Sequence, residues 1–247
     1  PSQPDFIRFE NVDFRYDANG GLALQDISFN LQPGEFLGIT GPTGSGKSTL
    51  TQLIPRFYDV AAGRITVNGL DVQAWDLAAL RHQIAFVPQT AVLFHGTIRE
   101  NLQWGKADAT DEGCFQALET AQCREFVEKL PEGLDTMVME NGKNFSGGQR
   151  QRLTIARALI RKPHLLILDD SLSALDYQTD LDLRQALARD LDSAMIIISQ
   201  RVRSIQQAKE ILVLDSGRLV GKGTHEALLL SSSEYQAIVA SQEEEHD

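Results

Sequence analysis

Nine consecutive residues, Gly41-Pro42-Thr43-Gly44-Ser45-Gly46-Lys47-Ser48-Thr49, carry the most specific chemistry in this sequence. They fit G-x-x-x-x-G-K-[ST], a pattern whose glycines let the backbone curl so that successive N–H groups point at phosphate oxygens. In that pattern Lys47 reaches the outer phosphates and Ser48 ligates Mg²⁺. The apolar run Phe36-Leu37-Gly38-Ile39-Thr40 precedes the loop and a helix-like Ser48 to Phe57 follows it, so the helix N-terminus also favours an anion. A Gly-rich turn that merely links strand to helix is the alternative, and the match of the pattern in a strand–loop–helix setting outweighs it. The residues therefore predict a nucleoside triphosphate site.

A second Gly-rich turn, Asn144-Phe145-Ser146-Gly147-Gly148-Gln149-Arg150-Gln151-Arg152, runs into another helix-like stretch. It reads either as a second anion site or as an ordinary Ser-Gly helix cap. One chain cannot easily fold both turns onto a single phosphate group, so a second subunit is one way to complete the arrangement. Tyr16, just beyond the first predicted strand, is placed where its ring could stack on a nucleobase or pack at the rim. Gln89 follows the strand-stopping Pro88 and reads, by itself, as a polar residue at a strand end.

The elements that must position these residues follow from periodicity. Phe6 to Phe14 and Ile27 to Leu31 alternate apolar and polar residues on either side of the turn signal Asn19-Gly20-Gly21, predicting an antiparallel β layer. Gly63 to Val67 predicts a strand ending in the hairpin-type Asn68-Gly69 turn, followed by an amphipathic stretch, Leu77 to His82, and the strand Ile84 to Val87. From Thr90 to Lys162 the pattern is helical with no strand-like run; Asp111 to Leu130 and Gly148 to Arg161 are its helices, separated by Pro131-Glu132-Gly133. The apolar runs Leu165 to Asp169, Met195 to Ser199 and Ile211 to Leu214 suit parallel strands covered on both faces. Leu181 to Leu191 supplies a crossover helix, and Thr224 to Leu230 with Tyr235 to Ser241 close the chain.

With 247 residues, 42% of them hydrophobic, the chain can bury one sizeable core and a smaller lobe. A formal net charge of −11 argues against a general nucleic-acid or anionic-membrane surface. Cys114 and Cys123, without a C-x-x-C pattern, read as ordinary free thiols in a reducing compartment. No apolar run approaches the ~20 residues of a membrane-spanning helix, and no signal peptide is visible. The acidic run Glu243-Glu244-Glu245-His246-Asp247 reads as a solvated, frayed end, and a start at Pro1 suggests a piece of something longer.

Taken in order, the phosphate loop, Ser146-Gly147-Gly148-Gln149 and Leu165-Leu166-Ile167-Leu168-Asp169-Asp170 make the resemblance specific. Over nearly its whole length the chain resembles the nucleotide-binding domain of an ATP-binding-cassette exporter. That likeness implies a RecA-like α/β P-loop core formed by residues 1–89 and 163–247, with an N-terminal antiparallel β layer and an inserted α-helical lobe over residues 90–162. It implies ATP and Mg²⁺ as the bound groups. Tyr16 matches the base-stacking aromatic, Gly41 to Thr49 the triphosphate loop, and Ser48, Gln89 and Asp169 the Mg²⁺ surroundings. Phe145 to Gln149 matches the signature with Phe in place of the usual Leu, Met137 to Gly142 the X-loop, and Ser173-Ala174-Leu175-Asp176 the D-loop. Such domains meet head to tail, one signature capping the other's nucleotide, which accounts for two anion sites. Phe86 to Gln89 and Leu93 to Leu102 are similar to the region that receives a transmembrane coupling helix, although their apolar residues also suit lobe core.

Two further departures from the family's pattern matter more than the matches. Where it places a glutamate after the aspartate, this chain has Asp170, shorter by one carbon, or about 1.5 Å of reach. Where it places the switch histidine, this chain has Gln200, whose amide stays neutral. None of His82, His95, His164, His225 or His246 follows the corresponding strand. With Lys47, these residues stand at the hydrolytic positions, so the resemblance implies a domain that holds ATP and splits it slowly. It implies the degenerate half of a heterodimeric multidrug-type exporter at the cytoplasmic face of a cell membrane. Its partners would be a second, non-identical nucleotide-binding domain and a transmembrane domain; no nucleic acid is expected, and the membrane is reached only through that domain. About six spanning helices are expected upstream of Pro1. A homodimeric exporter ATPase, a non-hydrolytic clamp and a soluble cassette acting on DNA or ribosomes are the rival readings.

Overall fold

Alternation of apolar side chains sets the first layer of the computed structural model, which describes residues 5–243. Pro1 and the acidic tail beyond residue 243 lie outside the described residues. The chain divides into two units, one running to Ile84 and resuming at Ala194, the other Ala85–Ser193.

In the first unit β1 (Ile7–Phe14) pairs antiparallel with β2 (Leu24–Leu31), Phe9 opposite Phe29. Buried Ile7 and Phe9 keep a period of two, and a bulge at Asn11, φ 46°, then resets the pattern so that Val12 and Phe14 also face inward. β3 (Phe36–Thr40) enters the phosphate loop, which runs into α1 (Lys47–Gln52). That helix ends five residues before the expected Phe57. Pro55 disfavours a helical Ile54 and offers no N–H, and Arg56 turns left-handed at φ 55°. β4 (Ala62–Val67) and β5 (Leu70–Asp71) form the expected hairpin, with Asn68 and Gly69 both at positive φ, 51° and 76°. The layer has strand order β2-β1-β4-β5, and α2 (Leu77–His82) follows, capped by Asp76.

β6 (Ile84–Val87) leads into the second unit. There the purely helical stretch expected from 90 to 162 contains one small strand pair, β7 (Gly96–Thr97) with β8 (Met137–Val138). Two residues are too few to show a period. Its helices are α3 (Ile98–Gln103), α4 (Asp111–Thr120), α5 (Arg124–Glu128) and α6 (Gly147–Leu159). The single helix expected over Asp111 to Leu130 is thus two, because Gln122 at φ 60° reverses the chain between them. β9 (Leu165–Asp169), buried throughout, lies beside β6. α7 (Tyr177–Asp190) starts four residues before the expected crossover helix, because Asp176 caps it through the Thr179 N–H. On it Asp180 and Arg184 form an internal ion pair at 3.2 Å.

Back in the first unit, β10 (Ala194–Ile198), α8 (Val202–Ile205), β11 (Glu210–Asp215), β12 (Arg218–Gly223), α9 (His225–Ser231) and α10 (Ser233–Glu243) complete the chain. β3 runs parallel between β10 and β11, as the continuous apolar runs require. β12, not expected from its polar sequence, returns antiparallel through Ser216-Gly217. Tyr235 is fully buried and hydrogen-bonds His225 Nδ1 at 2.8 Å, locking α10 to α9.

Candidate nucleotide site

β3 ends at Thr40 and the chain turns at once through Gly41, whose φ is 148° and whose absent Cβ would lie 2.1 Å from the Leu214 carbonyl oxygen. Gly46, at φ 102°, is the N-cap of α1, and a Cβ there would strike Leu24 at 2.7 Å. Both glycines are demanded by close packing as well as by backbone conformation. Gly46 offers α1 no side-chain cap. Lys47 Nζ donates to the carbonyls of Gly41 and Pro42 at 2.8 and 2.9 Å, bridging the loop from within. Ser45 Oγ is buried without a hydrogen-bond partner among the described residues. A glycine cradle, an ammonium and an unpartnered hydroxyl are a donor set that fits a polyphosphate.

Beside the cradle is a cleft of about 500 Å³ lined by Tyr16, Leu22, Ala23, Gly44, Gly46, Lys47, Ser48, Thr49, Ser216 and Gly217. Tyr16 is 59% exposed. Its ring stands edge-on to Phe14 and Tyr58 at 4.9 and 5.3 Å, and its hydroxyl meets Thr49 Oγ1 at 2.5 Å. One side chain thus joins the ring to the helix that follows the phosphate loop. The β11–β12 turn completes this wall: Gly217 N donates to Ser45 O at 3.0 Å. Sequence reasoning did not include Ser216 and Gly217, whose signal was the Ser-Gly pair between two runs.

Gln200 stands just past β10 in the same unit. Its Nε2 donates to Thr43 Oγ1 in the phosphate loop at 3.2 Å.

The second unit holds the remaining candidates. Asp169 is buried at the end of β9, while Asp170 adopts φ 48°. A left-handed conformation suits a short polar side chain better than a longer one. Gln89 Nε2 donates to Asp170 Oδ2 at 3.1 Å, bringing the strand-end amide and this carboxylate together. Ser171 Oγ donates to Val87 O at 3.0 Å and Gln151 Nε2 to Pro88 O at 3.4 Å, so the turn after β9 and α6 both hold the chain next to Gln89. Among the described residues no three His, Cys, Asp or Glu side chains gather as a metal site. Mg²⁺ held chiefly by phosphate oxygens and water needs only one or two protein ligands, and Ser48 Oγ, the Gln89 amide oxygen and the Asp169 carboxylate are oxygen donors of that type.

At the second Gly-rich turn the helix cap is real. Ser146 Oγ accepts from Gln149 N at 3.1 Å, and Gln149 Oε1 accepts from Ser146 N at 2.9 Å. The cap uses a lone pair of the hydroxyl and leaves its hydrogen to donate elsewhere, so capping and anion binding are compatible. Ser146 and Gly147 are exposed, and Gly148 is half-buried. Phe145 is buried with Phe126 at 6.0 Å, an apolar duty that a leucine would also perform. Asp176, in the segment after β9, has its carboxyl held below the usual range by the backbone N–H and hydroxyl of Thr179.

Within Leu93 to Leu102, Leu93, Ile98 and Leu102 are core and Phe94 is exposed, as are the neighbouring Val92 and Trp104. Buried Asn101 fixes the turn between β6 and α3 by bonding the N–H and the carbonyl of Phe94 at 2.8 and 2.9 Å. Arg157 lies under Phe94, 5.2 Å from its ring, and donates to Val92 O at 2.8 Å; burial pushes its pKa down.

A parallel strand delivering a G-x-x-x-x-G-K-S loop to a helix defines a phosphate-loop nucleotide-binding domain. A family model described as ABC transporter matches residues 24–173. The uncharacterized ABC transporter ATP-binding protein YfiB of Bacillus subtilis (strain 168) is 47% identical over 236 residues, which cover 96% of this chain and 41% of YfiB. The ABC multidrug transporter MDR2 of Trichophyton interdigitale (strain MR816) is 41% identical over 247 residues, covering 98% of this chain and 18% of that protein. A solved structure described as a bacterial Atm1-family ABC exporter with ATP bound superimposes with a TM-score of 0.91 at 38% identity, covering 96% of this chain and 42% of that one. The chain therefore spans less than half the length of these relatives. It belongs to the ABC transporter family, as an ATP-binding domain.

Proposed function

We propose that this domain binds MgATP, pairs head to tail with a second, non-identical nucleotide-binding domain, and powers export while its own phosphate-loop site turns over slowly. The observation that carries the reading is the contrast between an intact grip and altered hydrolytic positions. The cradle of Gly41 to Thr49 with Lys47 fits a polyphosphate, but residue 170 is Asp and residue 200 is Gln. Tyr16 stacks on the adenine, and Ser48, Gln89 and Asp169 surround Mg²⁺. Asp170 must orient the attacking water with a short arm, and Gln200 meets the terminal phosphate with a neutral dipole, so little of the charge that develops is offset.

The signature Ser146-Gly147-Gly148-Gln149, on the lobe over residues 90–162, closes the partner's nucleotide. The exposed Val92, Phe94 and Trp104 offer a face for a transmembrane coupling helix, with the domain at the cytoplasmic side of a membrane transporter. Among the described residues no helix is long and apolar enough to cross a membrane; in this reading the membrane is reached through a transmembrane domain.

Complementation tests this. A copy carrying Asp170→Glu, Gln200→His and Ser146→Ala has a repaired core but no working signature, and should be inactive alone. Mixed with the unaltered chain it should hydrolyse ATP, and mixed with a Ser146→Ala chain it should not. An unaltered chain that alone matches the mixture would mean a homodimeric ATPase; a silent mixture that still retains ATP would mean a clamp without hydrolysis.

A further inference from the structure

α8 begins without a local cap, since Arg201, its N-cap, makes no side-chain hydrogen bond to the helix. Its first residue, Val202, is buried, and an unpaired amide there would be costly. The missing acceptor comes from 40 residues away: Gln242 Oε1, near the end of α10, accepts from Val202 N at 2.9 Å. The same carboxamide donates through Nε2 to the carbonyl oxygen of Gln200. One side chain thus closes on both ends of the Gln200–Val202 turn. The turn is fixed from within as well, because Arg201 N donates to Ser199 Oγ at 3.0 Å. Gln200 itself reaches Thr43 of the phosphate loop at 3.2 Å. Where α10 approaches the loop, Ile238, Ser241 and Gln242 line a cleft of about 390 Å³ with Thr43 and Gln200.

We propose that Gln242 is a positioning residue for the switch position: α10 clamps the turn after β10 and thereby aims residue 200 at the terminal phosphate. A carboxamide suits this task because it accepts and donates at once, which neither a carboxylate nor an ammonium does. The proposal rests on the reading of residue 200 as part of the hydrolytic site, and its test has one arm independent of that reading.

The first arm follows amide hydrogen exchange in the full chain. Gln242→Met, close in size and without hydrogen-bonding capacity, should speed exchange at Val202 by at least tenfold, an order set by losing one native bond. Gln242→Glu, which keeps the acceptor and loses the donor, should restore most of the protection. The second arm measures ATP turnover in the Asp170→Glu, Gln200→His background. There Gln242→Met should lower kcat about tenfold, within the range a sub-ångström to 1 Å misplacement commands, and leave KM for ATP within about twofold. A residue that merely anchors α10 would loosen 233–243 while Val202 exchange and kcat stayed unchanged, and that result overturns the proposal. If the background shows no turnover, the hydrolytic reading fails and Val202 exchange alone decides whether the clamp exists.

Discussion

Asp170→Glu separates the two properties that meet at one residue. The longer side chain restores about 1.5 Å of reach, and if misplacement of about 1 Å costs on the order of a hundredfold, turnover of the domain's own site should rise by ten- to a hundredfold. Gln200→His should add to this, because a protonated imidazole at hydrogen-bonding distance from Thr43 would bring charge where the amide brings a dipole. Stability should move the other way. Residue 170 sits at φ 48°, where Asp is tolerated and Glu meets about 1 kcal/mol of backbone strain, so the melting temperature should fall by about 2–4 °C. The carboxylate must also keep or replace its bond from Gln89, now 3.1 Å. Phosphate release under single-turnover conditions and thermal unfolding of the same preparation read both effects. A variant that folds and holds ATP as tightly as the parent, yet gains no rate with both changes made, would show that reach and charge at these positions do not limit the reaction.

Tyr16→Ala should weaken ATP binding roughly tenfold, since base–aromatic stacking contributes about 1–3 kcal/mol, whereas Tyr16→Phe, which loses only the bond to Thr49, should bind within about threefold; titration with ATP by calorimetry distinguishes them. Both cysteines should resist alkylation in the native protein at pH 8 and react on unfolding: both are buried, and burial pushes the Cys123 thiol up to about 12 and Cys114 upward as well. The sign follows, for thiolate is scarce at any pH below the raised value, so raising the buffer from pH 7 to 9 should not label Cys123 without prior opening.

Much of the core was legible because its signals are local and periodic. Phe6 to Phe14, Met195 to Ser199 and Ile211 to Leu214 announce strands through their apolar pattern alone, and the phosphate loop announces itself by spacing. What escaped lacked such a pattern. β12 is mostly polar and exists because Ser216-Gly217 turns it back along β11. β7 and β8 are two residues each. The break at Gln122 depends on a left-handed residue that no glycine marks. At the site, residue types suggested Tyr16 and the glycines, and the family likeness singled out Gln89, Asp170 and Gln200. Partners distant in sequence, such as Gln242 beside Gln200 and Ser171 beside Val87, become visible only when the chain is folded.

The bond from the Gln151 carboxamide to the Pro88 carbonyl ties the first turns of α6, just past Ser146, to the peptide leaving β6, and the Ser171 hydroxyl fastens Val87 one residue earlier. A shift of the peptide leaving β6 would therefore be felt first at the end of α6 that Ser146 caps, a serine almost sixty residues beyond Gln89. Cutting that tie with Gln151→Met would leave the β6 end and the serine-capped end to answer to their own neighbours.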